Sequence, residues 1–256
     1  MGEYQQGDIV KQLISEGFLT EKDDLVWKTL RPERLKRMYE VLKQRTRHIA
    51  VLLEAVDDGH NQAAVLRSAD AFGVQNVSIV VGRAPFSPNR KVTQSAHKWL
   101  TIERQPTIET AIKTAQERGY QVLASHLGAD AVPLAELDLS QPTVFLFGNE
   151  HDGVTEEALE MADGNFIIPM YGFVQSLNIS VAAAITLHQA TQRARALVGD
   201  AYFLTPQEQK ELFHHWLITS SARIRRMLGV NGQQVEHDGL FDVEDENVED
   251  ELGWYE

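Results

Sequence analysis

Three short stretches gather side chains that could do chemistry. In "DDGHNQAAVLRSADAFG" (57–73), Val65, Leu66, Ala69 and Phe72 form one apolar helical stripe and leave Arg67 on its flank, six residues after Asn61. Asn61 could cap that helix, and Arg67 could pair with Asp70 one turn on; alternatively, both side chains serve a ligand. In "LFGNEHDGVTEEAL" (146–159), an apolar run enters a turn through Gly148, Asn149, Glu150 and Gly153, where glycine lets the backbone come close to a ligand. The acidic side chains repel phosphate and there is no GxxxxGK[ST] or GxGxxG spacing, so a ligand here would be neutral or cationic. In "IIPMYGFVQSLNISVAAAITLHQA" (167–190), Gln175, Ser176 and Asn178 crowd the start of an alanine-rich helix. One side chain suffices for a cap, so three are more than helix initiation asks for. The same helix start presents unpaired N–H donors and a positive dipole end.

The elements that must position these groups alternate in type. Short β-rich runs at 49–56, 76–81, 120–127, 143–148 and 166–170 are separated by helical patterns at 61–73, near 93–98, at 108–118, 155–162 and from about 177 to 196. Alternation of this kind predicts an α/β domain built on a parallel sheet, with ligands bound at the carboxyl ends of its strands. Residues 1 to about 48 read as helical and amphipathic, with Leu35, Met38, Tyr39 and Leu42 at helical spacing.

Composition removes several classes of function. The 256 residues contain no cysteine, which excludes disulfides, thiolate catalysis and cysteine metal sites, and the nine histidines offer no HExxH spacing, so no metal is expected. No apolar run reaches the ~20 residues that a membrane span needs, and no secretory leader is visible at the amino end, so a cytoplasmic protein without a membrane partner is expected. The formal charge of −13 is uneven. Ten of the 37 acidic residues lie in 236–256, which has no Lys or Arg and reads as a solvated, disordered tail. Between Lys28 and Arg47 the bias reverses, with Arg31, Arg34, Lys36, Arg37, Lys43, Arg45 and Arg47 against only Glu33 and Glu40. This stretch is a candidate phosphate-contacting arm or, equally, a solvated helix face.

Taken together in order and spacing, N-x5-R, F-G-N-E-x-x-G-V-T-E-E-A-L and I-P-M-x-G-x-V-Q-S-L-N-x-S-V-A-A-A resemble the SpoU/TrmH family of RNA ribose 2′-O-methyltransferases, within the SPOUT superfamily. The resemblance covers roughly residues 32–198. It implies a parallel sheet with helices on both faces and a deep trefoil knot toward its carboxyl end, an exception to the rule against threaded chains. It also implies S-adenosylmethionine as cofactor, held by Ser125, Gly148, Ile168 and Leu177, and a homodimer that completes the active site. Arg67 falls on the family's catalytic arginine, and Asn61, Glu150, Ser176 and Asn178 fall on its other polar positions. One departure is His151, where many relatives carry Lys.

The resemblance divides the chain into a basic helical arm (1–48), a methyltransferase domain (49–198), a helical extension (199–235) and the acidic tail (236–256). The arm and the extension imply tRNA as substrate, methylated at the D-loop guanosine, with Arg31, Arg34, Lys36, Arg37, Arg45, Arg47, Arg223, Arg225 and Arg226 as phosphate contacts. Two alternatives stay open: the same reaction on ribosomal RNA or another tRNA ribose, and an RNA-binding knotted protein without turnover. A dinucleotide-dependent oxidoreductase would share the α/β pattern but needs the glycine fingerprint that this chain lacks.

Overall fold

The computed structural model describes residues 8–20, 29–83, 87, 93, 96–219 and 224. Seven strands form one parallel sheet: β1 (Ile49–Glu54), β2 (Asn76–Val80), β3 (Thr101–Gln105), β4 (Gln121–Ser125), β5 (Val132–Pro133), β6 (Thr143–Phe147) and β7 (Gly164–Ile167), in the spatial order β3-β2-β1-β6-β4-β7-β5. The helices that matter here are α1 (Asp8–Ser15), α2 (Pro32–Leu42), α3 (Gly59–Ala71), α4 (Ile108–Glu117), α5 (Glu156–Met161), α6 (Ile179–Val198) and α7 (Pro206–Thr219).

β1 is buried along its whole length because both sheet faces are covered. Ile49, Val51 and Leu53 face a cluster that includes Val65 and Leu66 of α3 and Ala183, Leu187 and Ala190 of α6. Ala50 and Leu52 face the opposite cluster, with Ile108, Ala111 and Ile112 of α4 and Ala158 of α5. Strand alternation therefore sorts one strand's side chains between two helical layers. The last two long strands are not added at an edge: β6 lies between β1 and β4, and β7 lies between β4 and β5.

A third cluster is built from the two ends of the described chain. Val10, Leu13, Leu35, Met38 and Leu42 of α1 and α2 are buried with Leu212, Phe213, Trp216 and Leu217 of α7. The apolar stripe of the basic amino-terminal segment is thus a core face, and α7 is its partner.

Two strands were not foreseen in the sequence. β3 carries the residues T-I-E-R-Q at the sheet edge and buries only Ile102, so it lacks the apolar run that marks β1 or β6. β5 is two residues long. The helical stretch expected at 61–73 begins earlier, at Gly59, because the Asp58 carboxylate accepts a hydrogen bond from the His60 backbone N–H at 2.7 Å and is the cap.

Candidate functional site

Because Asp58 caps α3, the Asn61 side chain is released from the role of cap. It donates from Nδ2 to Glu150 Oε1 at 2.8 Å, and its Oδ1 accepts from Asn178 Nδ2 at 3.0 Å. The three stretches singled out in the sequence are thereby joined through one buried amide. Asn178 in turn caps α6, its Oδ1 accepting from the Ser180 backbone N–H at 2.9 Å and from the Ser180 hydroxyl at 2.6 Å. One asparagine both starts the helix and ties it to α3, which explains part of the surplus of polar groups there. Ser176 and Gln175 are exposed in the loop before it.

The turn bearing Glu150 is closed by its own hydrogen bonds. Asn149 and Gly153 exchange backbone hydrogen bonds of 2.9 and 3.0 Å, and the Asn149 Oδ1 accepts from the His151 N–H at 2.8 Å. Gly148 is required by this turn. A Cβ there would stand 2.1 Å from the Gly153 carbonyl oxygen and 2.3 Å from the Val154 nitrogen. Gly148→Ala should therefore cost about 1–3 kcal/mol of stability and swing Glu150 away from Asn61. Denaturant unfolding together with a cofactor titration checks this; a variant matching wild type in both would show that the turn opens freely.

Beneath the turn, the Asn149 Nδ2 donates to the Ala55 carbonyl at 2.6 Å and to Asp57 Oδ2 at 3.2 Å. Ala55 follows β1 and has φ 51, a left-handed conformation rare outside glycine. The buried Glu54 before it accepts from the Thr155 N–H at 3.1 Å and from its hydroxyl at 2.6 Å, while Thr155 caps α5 through Ala158. Asn149, named above only as part of the turn, and Glu54, not singled out there, are supporting residues. Their signals were an Asn opening a short glycine turn and a carboxylate ending an otherwise apolar strand.

Ser125 closes β4, Gly148 follows β6 and Ile168 follows β7, three strands adjacent in the sheet, so the three positions lie side by side along its carboxyl edge. Each is half-buried, as is Leu177 just before Asn178. These four residues offer a hydroxyl, two aliphatic side chains and backbone groups, and no charge. That chemistry fits the ring faces and polar edge of an adenosine, and no basic side chain stands among these four positions to hold a phosphate.

Arg67 lies apart from this cluster. It is exposed, its side chain makes no hydrogen bond or ion pair with another described residue, and it sits about 9 Å farther along the axis of α3 than Asn61. The pairing with Asp70 that its spacing allowed is not formed, because Asp70 is bonded to Arg45.

The basic segment divides in two. Arg31, Lys36 and Arg37 are exposed and Arg34 is half-buried, Lys36 standing 4.0 Å from Glu40. Arg45 corrects its assignment as a phosphate contact: it is 1% exposed, held by Asp70 and covered by the Trp216 ring at 5.3 Å. Arg47 is half-buried and paired with Glu208 of α7 at 2.7 Å. Arg223, Arg225, Arg226 and the acidic tail lie outside the described residues.

Residues 48–188 match the sequence model of the SpoU rRNA Methylase family. The tRNA (guanosine(18)-2′-O)-methyltransferase of Thermus thermophilus is 40% identical over 185 residues, 72% of this chain and 95% of that protein. The crystal structure of the Aquifex aeolicus TrmH/SpoU tRNA modifying enzyme superposes with a TM-score of 0.67 at 35% identity, covering 73% of this chain and 96% of the other. An AdoMet-bound rRNA methyltransferase from Sinorhizobium meliloti aligns at 29% identity and a TM-score of 0.52, over 61% of this chain and 60% of the other. Matched by the family model over more than half its length and spanning a 40% identical relative almost end to end, the chain belongs to the SpoU methylase family.

Proposed function

We propose that the protein transfers a methyl group from S-adenosylmethionine to the 2′-hydroxyl of guanosine 18 in the D-loop of tRNA. The observation that carries the chemistry is the Glu150–Asn61–Asn178 chain, which locks the family's three motifs together beside the strand ends. The choice of tRNA over ribosomal RNA rests on the Thermus relative, whose length this chain spans.

When bound, S-adenosylmethionine supplies an electrophilic methyl on a sulfonium. Ser125, Gly148, Ile168 and Leu177 would hold its adenosine at the carboxyl edge of the sheet. Asn61, Glu150 and Asn178 keep that edge, the start of α3 and the start of α6 in one arrangement, so that the ribose hydroxyl meets a preformed geometry. Ser176, on the exposed loop, is assigned to the same surface. A ribose hydroxyl is a weak nucleophile at neutral pH and must lose its proton as the methyl moves. Arg67 is the residue assigned to the substrate: its guanidinium clamps the adjoining phosphate and aims the hydroxyl. The charged guanidinium, with pKa above ~12, has no lone pair for a proton, so Arg67 takes the proton only if it is first deprotonated to the neutral guanidine; otherwise the proton leaves by another route.

Arg67 stands away from the cofactor edge of its own chain, which supports a homodimer in which a second copy completes the site. Tyr171 and Phe173, fully exposed, and Val174, largely exposed, lie in the loop between β7 and α6, with Val181 and Ile185 exposed on α6 itself. A second copy would cover this apolar surface. The position of β6 and β7 between earlier strands supports a trefoil knot formed by the chain leading into α6. Arg31, Arg34, Lys36 and Arg37 would contact tRNA phosphates, with Arg223, Arg225 and Arg226 as further candidates. A tRNA substrate places the enzyme in the cytoplasm; among the described residues no helix is long and apolar enough to cross a membrane.

The test is transfer of labelled methyl from S-adenosylmethionine to unmodified tRNA transcript and to ribosomal RNA, followed by mapping of the modified nucleotide. Label at guanosine 18 of tRNA is the expected result. Label confined to ribosomal RNA would overturn the substrate assignment, and cofactor binding without label on either RNA would favour a non-catalytic RNA-binding protein.

A further inference from the structure

Arg45 and Asp70 form a bond that neither the cofactor edge nor the RNA arm uses. Arg45 is buried, whereas Asp70 is half-exposed on α3, three residues after Arg67. The segment carrying Arg45 is stitched to the end of that helix: the Thr46 N–H donates to the Gly73 carbonyl at 2.9 Å, and the Gln75 N–H donates to the Thr46 carbonyl at 2.9 Å. Gly73 has φ +75, and a Cβ there would stand 2.5 Å from the Gln44 carbonyl oxygen, so the two backbones are in close approach. From this position Arg45 reaches the Val74 carbonyl at 3.4 Å and the Asp70 carboxylate, with the Trp216 ring of α7 over its guanidinium at 5.3 Å. The guanidinium also lies beside the carboxyl end of α3, where a cation is favoured.

Three residues is ion-pair spacing on a helix, so a carboxylate at 70 left to itself would attract the guanidinium at 67. A substrate phosphate would then have to compete with it. Arg45 cancels that carboxylate from the buried side, and Arg67 makes no ion pair with a described residue.

We propose that Arg45 is a positioning residue for methyl transfer: by holding Asp70 it keeps Arg67 free for the RNA. The arrangement requires the amino-terminal segment and α7 to be seated, since Trp216 closes over Arg45, so the helical cluster formed by the chain ends acts on the reaction through this bond. The proposal rests on the assignment of Arg67 to the substrate.

The test compares the full-length wild type with Arg45→Met, Arg45→Met/Asp70→Asn and Arg67→Ala in single-turnover methylation of tRNA transcript, with tRNA and S-adenosylmethionine affinities measured alongside. Arg45→Met is expected to lower the methylation rate tenfold or more at unchanged cofactor affinity. The double variant, which has neither the buried cation nor the competing carboxylate, is expected to return to within threefold of wild type. A structural role alone would leave the folded double variant as slow as the single one, and that result overturns the proposal, as does a single variant as fast as wild type. Should Arg45→Met fail to fold, the double variant decides: a folded protein below a tenth of the wild-type rate overturns the proposal and one within threefold supports it. Full activity in Arg67→Ala would instead overturn the role of Arg67 itself, a result separable from the others.

Discussion

Arg67→Ala is expected to lower the rate of methyl transfer by about 10²–10⁴-fold with S-adenosylmethionine affinity unchanged. Arg67 is exposed on α3 and absent from the hydrogen-bond chain that ties Glu150, Asn61 and Asn178, so its removal leaves that arrangement and the fold intact. The loss would fall on the reaction step, where the hydroxyl must be aimed and its proton removed. Single-turnover rates at saturating tRNA, with cofactor binding measured by calorimetry, separate the two effects. Arg67→Lys divides the roles further. A lysine keeps the charge but not the planar fork that grips two phosphate oxygens. Partial activity in Arg67→Lys would assign the residue to phosphate clamping, and a loss equal to that of alanine would assign it to geometry only a guanidinium provides. An alanine variant within threefold of wild type would remove Arg67 from the reaction.

Trp216→Ala is expected to destabilise the protein by about 3–5 kcal/mol, the usual cost of emptying a fully buried large aromatic site. For a chain of this size that corresponds to a fall in Tm of roughly 10 °C. The indole is 1% exposed and packs edge-on to the Trp99 ring at 5.5 Å. Its Nε1 donates to the Trp99 carbonyl at 3.1 Å, and its face covers Arg45. Truncation would therefore open a cavity between α7 and the amino-terminal helices, leave the Trp99 carbonyl with Gln75 Nε2 as its remaining donor and expose a buried cation to water. Thermal unfolding followed by circular dichroism measures the effect. A Tm within 2 °C of wild type would mean that the helical cluster unfolds separately from the sheet. Loss of methylation at temperatures where the variant is still folded would further connect this cluster to Arg67.

The residues differ in how far their roles could be read from order and spacing. β1 and β6 were legible because strands buried on both faces are nearly continuous apolar runs. β3 was not, because an edge strand with one buried residue leaves no such pattern. Arg45 stood in a basic stretch with Arg31, Lys36 and Arg47, and charge along a chain reads the same whether a side chain ends in solvent or beneath a tryptophan. Gly148 was read as a place where the backbone comes close to a ligand; the close approach that the structure shows there is that of Gly153, five residues on.

The order and types of residues alone determined the parallel α/β class, the absence of cysteine chemistry, the helix start at Thr155, and the three motifs that identify the family. These are properties of local periodicity, composition and short-range spacing. Tertiary structure alone decided that Asn61 bonds both Glu150 and Asn178, that Ser125, Gly148 and Ile168 share one edge, and that Asp70 faces Arg45 rather than Arg67. Each of these depends on groups far apart in the chain, whose partners are chosen only when the strand order and the burial of the helices bring some within hydrogen-bond reach and keep others away.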